Sequence, residues 1–109
     1  METRRDVFQA LADSTRRDIL AMLMHKPQNL NSLAENFDMT RQAVSLHVKI
    51  LTECGVIKIQ QEGRERFCEI QPQKLAEAAD WLEPFRQMWE ERFNRLDDIL
   101  NNLKTNDNG

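Results

Sequence analysis

Seven polar residues near the middle of this sequence have the types and spacing to hold a nucleic acid. Thr40, Arg41, Gln42, Ser45 and Lys49 come first. Arginine, glutamine and serine carry donors and acceptors that match base edges, and lysine is a point charge for phosphate. Val44, Val48 and Leu51 are interleaved at intervals of four and three, the period of a helix face packed on a core. The polar residues fall on the opposite face. Leu46 stands among them and can pack on thymine methyl groups. Thr40 offers its hydroxyl to the free amides of a helix start, and Gly55 suits a left-handed cap. A helix over 40–54 with an outward reading face is the expectation. Arg64 and Arg66, beside Gly63, are a second pair of phosphate ligands.

Other chemistries have weaker support. His25 and His47 are the two histidines, on separate segments and without a partner set for a metal. His47 shares the inward face with Val44 and Val48 and reads as a packing residue. Cys54 and Cys68 could form a thiol sensor, with Arg66 near Cys68. A reactive thiol needs exposure and a depressed pKa, and free cysteines are often simply buried. Glu90-Glu91 and Asp97-Asp98 are acidic pairs on a helical pattern, most simply a solvated face. There is no phosphate-cradling glycine loop, metal set or nucleophile motif, so no enzyme and no cofactor are expected.

The reading helix needs elements to hold it. Val7, Phe8 and Leu11 suggest a first helix from about Arg4 to Ala12. Asp13 can cap a second, in which Ile19, Leu20, Leu23 and Met24 recur at three-four spacing and which Pro27 stops. Asn31 is the expected cap of a short third helix carrying Leu33, Ala34 and Phe37. Asp38-Met39 is then the tight turn of a helix-turn-helix. After Gly55 the period becomes two. The run 56–61, a turn at Glu62-Gly63 and a return run 64–70 make a two-stranded wing, with Phe67 and Ile70 as its packing residues. Pro72 opens a helix with Leu75, Ala76, Ala79 and Leu82 on one face. Pro84 is expected to break or kink it, and a new helix to run from there to Lys104. The fold class is mainly α with a small two-stranded β wing. Residues 1–71 form the winged helix-turn-helix core, 72–105 the C-terminal helices of the same domain, and 106–109 a disordered tail.

Composition permits this reading. The 109 residues suffice for one modest core. No apolar run approaches the roughly 20 residues that span a bilayer. The start of the chain lacks the apolar segment of a signal peptide, so a cytoplasmic location is expected. The net charge of −3 at first argues against nucleic acid. Its distribution matters more: residues 1–71 hold ten Lys/Arg and ten Asp/Glu, while 72–109 hold five and eight. The whole deficit is C-terminal.

The ordered set of segments resembles the ArsR (arsenic-repressor-like) family of winged helix-turn-helix regulators. Phe8-Gln9-Ala10-Leu11-Ala12-Asp13-Ser14-Thr15-Arg16-Arg17-Asp18-Ile19-Leu20 is similar to the family's opening, which usually has proline where Ser14 stands. Leu33 to Phe37 and Val44 to Leu51 resemble its two motif helices. Gly55-Val56-Ile57 and Gly63-Arg64-Glu65-Arg66-Phe67 resemble its wing. The tail Trp81 to Phe93 is similar to a subgroup without metal sites that includes sporulation-delay-type autorepressors.

The resemblance implies a homodimeric repressor on a palindromic DNA operator, with an unknown inducer. Metal-sensing relatives carry cysteines where Asn29 and Asn31 stand, so metal binding is not expected. Thiol-sensing relatives place their cysteines on the second and fifth helices, unlike Cys54 and Cys68. Leu46 departs from the Lys or Arg common there. The expected DNA contacts are Thr40, Arg41, Gln42, Ser45, Leu46, Lys49, Arg64 and Arg66. The expected dimer contacts are Val7, Phe8, Leu11, Phe85, Trp89, Phe93, Leu96, Leu100 and Leu103. The alternatives are a winged-helix module that binds protein and not DNA, and a thiol-responsive repressor using Cys54 and Cys68.

Overall fold

The computed structural model describes residues 5–107, with side chains to Lys104. The helices are α1 (Val7–Leu11), α2 (Ser14–Leu23), α3 (Leu30–Ala34), α4 (Arg41–Glu53) and α5 (Pro72–Asp107). The strands are β1 (Gln28–Asn29), β2 (Ile57–Glu62) and β3 (Glu65–Ile70). Arg4 lies outside the described residues, and α1 starts at Val7 with Asp6 as its cap.

Short polar side chains set the helix starts. Asp6, Asp13, Asn29 and Thr40 each accept the backbone N–H three residues on, at Gln9, Arg16, Ser32 and Ala43. The cap of α3 is therefore Asn29, not Asn31, which lies inside the helix. Both residues suit a cap by type. The β1 backbone decides, because it brings the chain in extended as far as Asn29. The free carbonyls at the end of α1 are met by Arg16, which donates to Gln9 and Ala10, and by Arg17, which donates to Leu11. The C-terminus of α4 is a Schellman turn. Val56 N–H donates to Leu51 and Gly55 N–H to Thr52, with Gly55 at φ +80°.

The sheet is antiparallel, in the order β1-β3-β2. It has three strands where the sequence suggested two, because Gln28 and Asn29 pair with Cys68 and Phe67. The turn is Gly63-Arg64, closed by the pair Glu62–Glu65, with Gly63 at φ +62°. Ile57, Ile59, Cys68 and Ile70 share the inner face, and Gln60 and Phe67 share the outer one. Phe67 and Ile70 thus point to opposite sides, and the buried residue of the return strand is Cys68.

Two compact units divide at Ala78. In the first, Ile19, Leu23, Leu33, Val44, Leu51 and Ile57 form the centre of the core. Val7 is also inside it, at 1% exposure. Leu75 and Ala78 of α5 pack on this core, whereas Ala76 and Ala79 are exposed. The second unit is the rest of α5. Its helix passes through Pro84 without a break and continues to Asp107, so Asn106 and Asp107 are helical; Asn108 and Gly109 lie outside the described residues. A proline removes one hydrogen bond and crowds the preceding turn, at about 3 kcal/mol. The turns on either side stay bonded, and Arg86 ties Glu83 to Glu90 across the site. Those carboxylates raise the Arg86 pKa, and its guanidinium lowers that of Glu83. Trp81 and Phe85 stack with ring centroids 5.0 Å apart. Trp89, Phe93, Leu96, Ile99, Leu100 and Leu103 are exposed along this unit. Among the described residues, no helix is long and apolar enough to cross a membrane.

Candidate nucleic-acid interface

Burial of Val44, Val48 and Leu51 turns the other side of α4 outward. Arg41, Gln42, Ser45, Leu46 and Lys49 are all exposed. Together with Leu30 they line a groove of about 570 Å³. Leu46 is 57% exposed within it, an apolar contact in an otherwise polar row. Thr40 is exposed too, but its hydroxyl oxygen already accepts from Ala43 N–H. The oxygen keeps its own O–H to donate.

The wing closes a second cleft beside the first. Arg41 from α4 and Arg64 and Arg66 from the hairpin line a space of about 320 Å³ with Asn29, Leu30, Asn31 and Glu65. The tertiary fold thus joins Arg41 to the wing arginines, which lie more than twenty residues further along the chain. Pairing of β1 with β3 fixes this geometry, since it ties the root of the wing to the start of α3. Leu30, Asn29 and Asn31 border the grooves, and sequence reasoning did not find them. A two-residue strand has no period to detect, so nothing local announced where this segment lies.

The charges of the cleft are available. Arg5 pairs with Glu53, Lys58 with Glu69 and Lys74 with Glu77. Among the described residues, Arg41, Lys49, Arg64 and Arg66 form no ion pair. Uncommitted cations around a concave surface suit phosphate, which binds by charge and not by sequence.

His47 faces inward and is only partly exposed. Among the described residues its Nδ1 has no hydrogen-bond partner, and it lies 3.7 Å from Asp13 Oδ2, beyond hydrogen-bond length. The Asp13 pKa is lowered, first by the Arg16 N–H it accepts, against partial burial, with His47 adding. Cys54 and Cys68 are buried, and burial pushes both thiols above their usual pKa. That is the opposite of what a reactive thiol requires.

The comparisons with known proteins agree with this geometry. The sequence pattern of the bacterial regulatory protein arsR family matches residues 13–58, from the α2 cap to the start of the wing. The HTH-type transcriptional regulator Rv2034 of Mycobacterium tuberculosis is 36% identical over 78 residues, 72% of this chain and 73% of that protein. The chain belongs to the ArsR family. It is similar also to the transcriptional repressor SdpR of Bacillus subtilis, at 29% identity over 71% of this chain and 86% of that one. An ArsR-like transcriptional regulator from Rhodococcus sp. RHA1 superposes with a TM-score of 0.65 at 33% identity, covering 85% of this chain and 88% of that one. The fold is the family's winged helix-turn-helix, and the family is one of transcriptional regulators, not enzymes.

Proposed function

We propose that this ArsR-family chain is a dimeric repressor that binds a palindromic operator in duplex DNA. The observation that carries the reading is the convergence of α4 and the wing. Arg41, Gln42 and Ser45 face outward where base edges would lie, with Leu46 beside them. Thr40 and Lys49 hold the flanking backbone, and Arg64 and Arg66 hold it from the wing. Arg41 borders both clefts, so it is placed to bridge base contacts and backbone.

The two-fold contact belongs on α5. Phe85, Trp89, Phe93, Leu96, Leu100 and Leu103 are exposed in the protomer, and a large exposed apolar surface marks an interface. Val7 leaves the expected set, because the protomer's own core encloses it. Leu11 packs on that core and Phe8 stays outside it. A solution structure of an ArsR-family candidate from Mycobacterium bovis, 21% identical, is described as homodimeric. Two-fold symmetry would present two recognition helices to half-sites about 10 base pairs apart. The working location is the cytoplasm, where DNA is available.

Selection of binding sites from random duplex DNA tests the proposal. An enriched palindrome bound by the dimer is the expected result. Failure to enrich any sequence, together with binding that does not respond to salt, would favour a protein-binding module. Phosphate binding has a steep salt slope.

A further inference from the structure

A cavity between α4 and the wing has a floor that DNA phosphate leaves unexplained. It measures about 290 Å³, near the lower end of the roughly 300–1,000 Å³ of ligand sites. Leu30, Val48, Ile59 and Cys68 supply apolar wall. Ile59 stands opposite Cys68 on the inner face of the wing, yet Ile59 is 40% exposed and Cys68 2%. The packing face of the sheet therefore runs on past the edge of the core, and this overhang opens the cavity. Arg66 lies on the same face, since its partner Gln61 is two residues from Ile59.

The polar lining has one dominant sign. Lys49 and Arg66 border the cavity and form no ion pair among the described residues. Glu53 is also in the lining, but Arg5 Nε holds its Oε2 at 2.8 Å. The Thr52 hydroxyl donates to the Val48 carbonyl at 2.8 Å, and Ser45 adds a second hydroxyl at the rim. An apolar floor under two uncommitted cations fits a molecule with a short hydrocarbon body and one negative end.

We propose that this cavity binds a medium-chain fatty carboxylate. The chain lies on Leu30, Val48, Ile59 and Cys68, and the carboxylate meets Lys49 and Arg66. Occupancy removes two cations from the DNA surface, so the bound anion acts as an inducer. That consequence rests on the DNA reading, whereas the binding itself does not.

Titration calorimetry of the full chain with sodium octanoate, hexanoate, acetate and neutral octanol tests it. Octanoate should bind saturably, and acetate should not. Hexanoate should bind about fifteenfold more weakly, from two methylenes at about 0.8 kcal/mol each. Octanol should bind more weakly than octanoate. Ile59→Trp fills the cavity from an exposed strand position, and should abolish octanoate binding while keeping melting temperature and DNA affinity. Should that variant fail to fold, Lys49→Gln decides: it should weaken octanoate and leave octanol unchanged, with Arg66 still holding the carboxylate. Absence of saturable octanoate binding overturns the proposal. So does equal octanoate binding by wild type and a folded Ile59→Trp, or by wild type and Lys49→Gln. Octanoate should also displace duplex DNA from the wild type. Simultaneous binding without mutual effect overturns the inducer role. If octanoate binds as described and no DNA binds at all, the cavity stands and the DNA reading fails.

Discussion

Replacing Arg64 and Arg66 together by alanine should halve the salt dependence of DNA binding. Among the described residues, each protomer presents four cations without an ion pair around the two clefts, Arg41, Lys49, Arg64 and Arg66. A dimer then neutralises about eight phosphates, for a slope of log affinity against log salt of about −7 at roughly −0.9 per phosphate. Between 50 and 200 mM salt, that slope costs the wild type about 20,000-fold in affinity. The double variant keeps about four contacts, a slope of about −3.6, and loses about 150-fold over the same range. The fold should not suffer, because both arginines are exposed and neither holds an ion pair among the described residues. Fluorescence anisotropy on a labelled duplex at several salt concentrations gives both slopes, and thermal melting confirms folding. The loss should be similar on specific and random duplexes, as expected for backbone contacts. A folded variant with the wild-type slope would show that the wing does not touch phosphate.

Trp89→Glu puts a charge into the exposed stripe of α5 and should give a monomer by sedimentation, with operator affinity lost; a folded dimer of full affinity would move the interface elsewhere. Thr40→Ala removes the hydroxyl that accepts from Ala43 N–H, and should cost about 1 kcal/mol in urea denaturation. Asp13 contributes a pH dependence of known sign. Its folded pKa is lowered from 3.8, so the carboxylate stabilises at neutral pH and that stability is lost as pH falls through the folded value. Asp13→Asn keeps a competent cap, so its deficit against wild type should be present at pH 7 and shrink below about pH 4; a deficit that stays constant would refute the assignment. Cys54 and Cys68 are buried with raised pKa, so maleimide at neutral pH should label them only in denaturant, and rapid labelling of the native protein would revive a thiol sensor.

Local chemistry made much of this chain legible without coordinates. The outward face of α4 followed from Val44, Val48 and Leu51, because a helix with one buried stripe has only one outward side. Asp13, Thr40 and Gly55 sit where their short-range bonding requires, and those bonds need no distant partner. Features that depend on a distant segment were out of reach. Val7 and Phe8 are neighbours of similar apolarity, and only the packing of α1 on the core sends Val7 inward and leaves Phe8 out. Cys68 rather than Phe67 is buried because the register with β2 sets which residues share the inner face. Asn29 caps α3 because β1 exists, and β1 exists because β3 has a free edge beside it. Pro84 reads as a stop in any window of a few residues, yet the bonded turns around it carry the helix through. The meeting of Arg41 with Arg64 and Arg66 is of the same kind. Residue type and period determine which side chains can bind phosphate. Strand pairing across forty residues of chain decides that they stand around one cleft, because only long-range backbone hydrogen bonds fix where the wing stands.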